Sequence, residues 1–421
     1  MNPLPPAVFK FPAGIDNRSR EYALVEGAAR TLDNLDVTRD GGLLARRGWR
    51  LILSGACHSL FAHAGFLWLV KDGWLSRMDT AHLLTPQCEV AAGVSYAVLN
   101  DEVYWTDGQR VGRITAQGSL SWWGLATPPA PVCAAVLNGG LSAGQYGVAM
   151  TAQHPSGLES GAGACVMVDV PEGGGVQVTA PSASGVQFVI YRTPPQGASD
   201  ELRAVARLAP GSTLTLDTSF PLGRRLESLF AVAPFPGQAL VAYKGRLWIA
   251  AGNTVWFTSA QSPHWLFPDH SAFAFENPVV FLGAAEDGLY VGTQARVYFL
   301  QGADPDKMTQ RPVAQVGAAQ GTGIELPYDV FLGQGGFPTQ QCAWWTTQGQ
   351  LAVGKPGGIV VYPHDSRFSA VAARTGALTY REHEGMRQIL AVLGGDAPPL
   401  AASDVPVAEE LTHGIVLGDP G

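Results

Sequence analysis

Charge is scarce in this chain: Asp, Glu, Lys and Arg make up 15% of its 421 residues, against an average near 25%. With 46% of the residues hydrophobic, that scarcity excludes an intrinsically disordered chain and a coiled coil. Lysine is the rarest of the four, standing only at Lys10, Lys71, Lys244, Lys307 and Lys355, so the basic residues are mostly arginine. The net charge of -8 argues against a domain that reads nucleic-acid sequence, since such domains neutralise phosphates with clustered cations. It leaves room for nucleic acid to pass without being gripped. No apolar run of about 18 residues occurs, and Met1-Asn-Pro-Leu-Pro-Pro6 lacks a basic segment followed by an apolar stretch. Neither a membrane span nor an export signal is expected. Cys57, Cys88, Cys133, Cys165 and Cys342 form no Cys-x-x-Cys pair and are expected to be buried free thiols of a reducing cytosol.

Glycine and proline are abundant instead. Gly at 51 and Pro at 30 amount to about 19% of the chain, above the usual ~12%, which predicts many turns and short strands. A repeat runs through the pattern. Its five copies centre on Trp68, Tyr104, Trp248, Tyr290 and Ala352. Three residues before each centre stand the turn formers Gly65, Asp101, Gly245, Asp287 and Gly349. Leu67, Val103, Leu247, Leu289 and Leu351 come immediately before, and Leu75, Val111, Val255, Val297 and Ile359 seven residues after. Between them, Asp72-Gly73, Asp107-Gly108 and Gly252-Asn253 are hairpin-turn signals. Each copy predicts antiparallel strands joined by tight turns.

Successive centres lie 36 residues apart from Trp68 to Tyr104 and 42 from Trp248 to Tyr290, close to the ~40 to 50 of propeller blades. From Tyr104 to Trp248 the interval is 144, and removing the 93 residues Pro128 to Phe220 leaves 51. That stretch opens at Thr127-Pro-Pro-Ala-Pro131 and alternates in short runs such as Gln145-Tyr-Gly-Val-Ala-Met150, Gly175-Val-Gln-Val178, Val186-Gln-Phe-Val-Ile-Tyr191 and Ser212-Thr-Leu-Thr-Leu216. Its length suits a small β-sandwich. The expected fold is therefore all-β: a β-propeller of about six blades with an inserted sandwich, the alternative being two stacked sandwiches without need of equal spacing. The expected boundaries are an N-terminal arm with first strands at 1-50, propeller parts at 51-127 and 221-398, the insert at 128-220 and a C-terminal tail at 399-421. The order within the insert, with Ile190-Tyr191-Arg192 as its most telling strand, resembles a fibronectin type III or similar immunoglobulin-like module.

Sites for chemistry are few. His383-Glu384 opens like a zinc-protease helix, but Arg387 stands where the second His is needed. His264 and His270 flank Trp265 and Asp269, yet Pro263 and Pro268 favour a surface loop over a metal site, and His58 and His63 read as packing or exposed residues. A glycosidase would need two facing carboxylates with one raised in pKa. Glu286-Asp287 and Glu382/Glu384 are the available clusters, and Asp287 already has a use as a turn former. No Ser-x-Asp-x-Gly-x-x-Trp box, Gly-x-Ser-x-Gly elbow, phosphate loop or dinucleotide fingerprint is present. The stretches Gly161-Ala-Gly163, Gly173-Gly-Gly175 and Gly354 to Gly358 read as hairpin loops. Trp122-Trp123 and Trp344-Trp345 are candidates for stacking sugars or bases. Adjacent strand residues face opposite ways, so at most one of each pair would meet a ligand.

The most informative segment spans residues 14 to 49: Gly14-Ile-Asp-Asn17, Glu21, Leu24, Gly27, Asn34-Leu-Asp36-Val37, Asp40-Gly-Gly-Leu43 and Arg46-Arg-Gly-Trp49. This order resembles the opening of tail nozzle or hub proteins of short-tailed bacteriophages. A second block is similar to the late blades of the same proteins: Ser262-Pro-His264, Pro268, Phe275, Pro278, Gly288-Leu-Tyr-Val-Gly-Thr293, Val297-Tyr-Phe299, Gly302-x-Asp304-Pro305 and Met308. The resemblance implies a propeller with an inserted domain, assembled as a six-fold ring below the portal and adaptor, docking tail spikes or fibres. It implies a virion protein assembled in the bacterial host cytoplasm, with no enzymatic activity, no cofactor, no metal and no membrane insertion by this chain. Asn17, Asn34, Asp36, Arg46, Arg47 and Gly48 are its signature and assembly candidates. Arg46 and Arg47 would pair with carboxylates across a subunit contact, where planar guanidinium geometry is favoured, or else be solvated. Six copies at -8 each give -48, an acidic ring past which double-stranded DNA would slide without sequence-specific binding. The alternatives are a propeller glycosidase or lyase acting on cell-surface polysaccharide, and a monomeric sugar-binding propeller.

Overall fold

Tight turns build the sheets. Lys71 pairs with Trp74 across Asp72-Gly73, whose φ values are +51° and +81°, the geometry of a two-residue turn that matches the twist of the strands it joins. Asn100-Asp101 turns Leu99 back onto Glu102 in the same way, at φ +54° and +61°. Gly65 at φ +80° and Gly245 at φ +73° occupy the same place as Asp101. Gly or Asp suits these copies because most side chains disfavour a left-handed backbone, whereas Asp287 of the fourth copy does not adopt it.

The computed structural model describes residues 10-38, 40-46, 50-91, 93-328, 330, 338-364, 366-368, 370, 372-383, 386-394 and 414-418. The fold is all-β, with five four-stranded sheets whose strands follow in chain order. Sheet I holds Cys57–His63, Phe66–Lys71, Trp74–Met78 and Leu84–Glu89. Sheet II holds Ser95–Leu99, Glu102–Thr106, Val111–Ile114 and Leu120–Ser121. Sheet III holds Ala239–Tyr243, Arg246–Ala251, Thr254–Phe257 and Ala272–Ala274. Sheet IV holds Val279–Ala285, Gly288–Thr293, Val297–Gln301 and Thr309–Ala314. Sheet V holds Ile324–Leu326, Gln341–Trp345, Leu351–Lys355 and Ile359–Val361. A three-stranded sheet VI follows, of Thr375–His383, Met386–Gly394 and Gly414–Gly418. Its last strand falls inside the stretch expected to be a C-terminal tail.

Two compact units make up the chain: Met1–Cys57 with Ala250–Thr254 and Ala274–Gly421, and His58–Ile249 with Val255–Phe273. Within the second unit sheets I and II share a core of Trp68, Val70 and Leu75 against Val103, Trp105 and Ile114. The opposite face of sheet II packs Ala97 and Tyr104 against Leu240, Leu247 and Ile249 of sheet III. The first unit repeats the scheme. Phe281, Tyr290 and Phe299 of sheet IV meet Cys342, Trp344 and Ala352 of sheet V, whose other face places Ala343, Trp345 and Val353 on Leu378, Ile389 and Ala391 of sheet VI. A sheet covered on both faces has apolar residues at every position of its middle strands, not at alternate ones.

That double cover corrects two expectations. Trp344 and Trp345 do point to opposite faces, but both faces are packed and both rings are fully buried, so neither is available to a ligand. The repeat is also out of step in its last copy. Trp68, Tyr104, Trp248 and Tyr290 lie on second strands of their sheets, whereas Ala352 lies on the third strand of sheet V. The second-strand aromatic there is Trp344, 54 residues after Tyr290. Turn and aliphatic spacing marks any hairpin, and therefore does not say which hairpin of a sheet it marks.

Between sheets II and III the chain forms a two-sheet sandwich. One sheet orders Val132–Leu141, Gly174–Thr179 and Thr213–Leu216; the other orders Val166–Val170, Gly144–Gln153, Gln187–Arg192 and Arg203–Leu208. Tyr146, Val148, Met150 and Ala152 alternate inward with Phe188 and Ile190, facing Val176, Val178 and Leu216 of the opposite sheet. The outer face of the four-stranded sheet is covered as well, with Ala149, Val189 and Tyr191 beneath Ala162, Leu202 and Leu226. The thiols vary in setting. Cys342 is buried, but Cys57 is exposed, contrary to expectation, and the other three are intermediate.

Candidate assembly site

The signature residues of the N-terminal segment hold its backbone in place. Gly14–Ile15 pairs in parallel with Ala28–Ala29, and buried Asp16 follows. Its carboxylate accepts the amides of Ser19 at 2.8 Å and Arg18 at 3.2 Å. Hydrogen bonds from the Ser19 amide, and next from its side chain, hold the Asp16 carboxyl below the usual range. Asn17 donates its amide to the Arg367 carbonyl at 3.0 Å. Asn34 sits at φ +56°, a left-handed position that Asn tolerates, and its carbonyl accepts the Arg46 amide at 3.0 Å.

From that turn runs the hairpin Leu35–Val37 with Leu43–Ala45. Asp36 projects from it, with Arg46 at 3.3 Å on one carboxylate oxygen and Arg381 of sheet VI at 3.5 Å on the other. Arg381 also donates to Gln388 on the paired strand at 2.6 Å. Asp36, Arg46 and Arg381 thus tie the arm to sheet VI within one chain. Arg46 has a carboxylate within its own chain and is not simply solvated. Arg47, Gly48 and Trp49 lie outside the described residues, as does Glu384.

Of the carboxylates that a polysaccharide-cleaving site would use, Asp287 is occupied with backbone. Both oxygens of Asp287 accept the Gly357 amide, at 2.9 and 3.0 Å, while its carbonyl accepts the Gly302 amide. Arg311 donates to the Gly357 carbonyl, and the Tyr290 hydroxyl lies between the Lys355 and Ile359 carbonyls. Three side chains of sheet IV therefore fasten the Pro356–Gly358 turn of sheet V. Glu286 and Gln340 bond through their backbones at 3.2 Å. His270 pairs with exposed Asp269 at 2.8 Å. No group of three or more His, Cys, Asp and Glu side chains that could hold a metal occurs among the described residues.

A polar hub with no counterpart in the sequence reading lies on the sandwich. Glu159 is buried. Its Oε1 accepts hydroxyl protons from Thr151 and Tyr191, both at 2.6 Å. Its Oε2 accepts Arg224, whose guanidinium lies over the Tyr191 ring. Burial, followed by the bond to Glu159, raises the Tyr191 phenol well above its ordinary value. The Glu159 carbonyl accepts the Trp265 indole N–H at 2.8 Å, and the neighbouring Pro263 carbonyl accepts that of Trp123 at 2.8 Å. The connection between the last strands of sheet III thereby grips both the sandwich and the end of sheet II. One sequence signal marks the hub: Glu159 is the first charged residue after Arg113.

Beside Trp265, His264 is half-buried. Burial lowers its pKa from the ordinary 6.5, Arg113 lowers it further, and Glu159 opposes both. A histidine that is harder to protonate folded than unfolded binds more protons in the unfolded state at low pH. Stability is expected to fall as pH drops through about 6.5, and His264→Gln to flatten that fall. Denaturation midpoints of both proteins between pH 7.5 and 5 check this, and parallel pH profiles would refute it.

No known protein family and no curated protein matches the chain. Among solved structures, the Neurospora crassa Pan2 WD40 domain is similar at 10% identity and a TM-score of 0.34, over 87% of this chain and 90% of that one. The N-terminal domain of Nup159 is similar at 8% identity and a TM-score of 0.31, over 80% and 73%. The Pseudomonas aeruginosa periplasmic gluconolactonase PpgL is similar at 12% identity and a TM-score of 0.27, over 76% and 88%. None of their activities or partners is carried to this chain.

Proposed function

We propose that this chain is a structural virion protein of a short-tailed bacteriophage: a tail nozzle or hub whose copies ring the DNA channel below the portal and adaptor and dock spikes or fibres. In this reading sheets I to VI are the six blades of one propeller, and the sandwich is a fibronectin type III-like module inserted after the second blade. The observation that carries it is how the signature residues are used. Asn34 through its backbone carbonyl, and Asp36 and Arg46 through their side chains, bond within the arm and to sheet VI, which is a scaffold's use of polar residues and not a catalyst's. Asp287, the carboxylate best placed for the enzymatic alternative, is likewise committed to a backbone amide.

Light scattering on the native protein, with and without portal and adaptor, tests the ring. A mass of six copies, alone or on the adaptor, is the expected result. A monomer that joins neither would overturn it and turn attention to polysaccharide cleavage at Glu286 and Asp287. The ring should also release double-stranded DNA at low salt, given its acidic charge.

A further inference from the structure

The last strands of sheets I to V are blunted edges. The last strand of sheet I carries Pro86 and Glu89, and that of sheet IV carries Arg311 and Pro312. Those of sheets II, III and V are only two or three residues long. Short, charged or proline-bearing edges keep unpaired N–H and C=O groups from recruiting foreign strands. In the sandwich, the edge strand Val166–Val170 exposes Asp169. Arg203–Leu208 carries two arginines and is partly covered through Ala204 and Leu202, which bond Gly223, Arg224 and Leu226.

The edge strand Val132–Leu141 of the sandwich is long and lacks these devices. Its ten residues, Val-Cys-Ala-Ala-Val-Leu-Asn-Gly-Gly-Leu, include no charge and no proline. Among the described residues it pairs on one side alone, with Gly174–Thr179, in regular register from Val132 to Val136. Val132 and Leu137 are 71% and 80% exposed, and Ala134 and Ala135 are exposed between them. The strand lies within a stretch, Ile114 to Leu158, that contains no Asp, Glu, Lys or Arg, in a chain whose net charge is -8.

We infer that this edge docks the same edge of a second copy, the two strands antiparallel. Acidic copies repel one another where charge faces charge, and this strand itself carries none. Pairing about Ala134 sets Val132 opposite the second copy's Val136 and Ala134 opposite its own equivalent, so no like charges oppose each other and apolar cross-strand pairs form. The two three-stranded sheets then run on as one. A two-fold contact is self-complementary and cannot by itself close a six-fold ring. It is therefore a contact separate from the ring, joining two free copies or two rings.

Sedimentation of the full chain at up to about 100 μM tests it, with Ala134→Lys placing like charges at the two-fold axis and Ala134→Ser as the neutral control. Wild type and A134S should double in mass with concentration, at least as readily in high salt, and A134K should weaken doubling about tenfold or more. Hydrogen exchange should show Val132 to Val136 protected in wild type at high concentration and not in A134K, with unchanged melting. Equal self-association of A134K and wild type would overturn the inference, as would a wild-type edge that stays unprotected at high concentration. A chain that doubles but forms no ring would sink the ring and leave the paired edge standing; a ring that never doubles does the reverse.

Discussion

Trp344→Ala is expected to destabilise the protein by about 3–5 kcal/mol, the range for removing a large buried aromatic. Trp344 is fully buried in the second strand of sheet V. It packs against Phe281 at 5.2 Å and Tyr290 at 5.4 Å between ring centroids. Its indole nitrogen has no hydrogen-bond partner, so truncation removes packing and costs no polar contact. Tyr290 sits on a strand of sheet IV that is paired on either side, which limits how far it can collapse into the cavity. Trp122, at 64% exposure, provides the contrast, since Trp122→Ala should change stability by no more than about 0.5 kcal/mol. Urea denaturation of both variants checks the pair. A cost for Trp344→Ala as small as that for Trp122→Ala would mean that sheets IV and V do not share the core described.

Glu159→Ala should be the most damaging change outside the apolar core, at roughly 2–4 kcal/mol. The Thr151 and Tyr191 hydroxyls both donate to one carboxylate oxygen in a buried setting, and afterwards at most one of them, donating to the other, would have an acceptor. Unsatisfied buried donors cost more than the hydrogen bond itself contributes. Arg224 is half-exposed and can turn to water, so the ion pair adds little. Glu159→Gln keeps a carbonyl oxygen that can accept from both hydroxyls and should recover much of the loss, whereas Arg224→Met should cost less than Glu159→Ala. Thermal melts together with Trp265 fluorescence separate the outcomes. If Glu159→Ala melted with wild type, the hub would not hold the sandwich.

How much of this was legible in the sequence follows from the distance over which each feature is determined. A two-residue turn such as Asp72-Gly73 depends on residues side by side, and a hairpin could be read from it. The alternation of Tyr146, Val148 and Met150 is likewise local, and it marks one packed face of the sheet without recording that the other face is covered too. Trp344 and Trp345 misled because exposure depends on what covers a sheet's second face, which a single strand does not record. Asp36 needs Arg381 from the far end of the chain, and Glu159 needs Thr151, Tyr191, Arg224 and Trp265 from four separate segments. No periodicity announces such meetings. Ala352 shows the converse: a spacing rule satisfied in full, on the wrong hairpin of its sheet.

An electron cryomicroscopy map of the purified assembly measures the central claim most directly, because blade number and copy number are read from the same image. Six blades around one axis in each copy, with six copies around a channel and the sandwich projecting as a separate module, is the predicted result. Single copies, or a chain whose two units stand as separate stacks of sheets with no common axis, would contradict it.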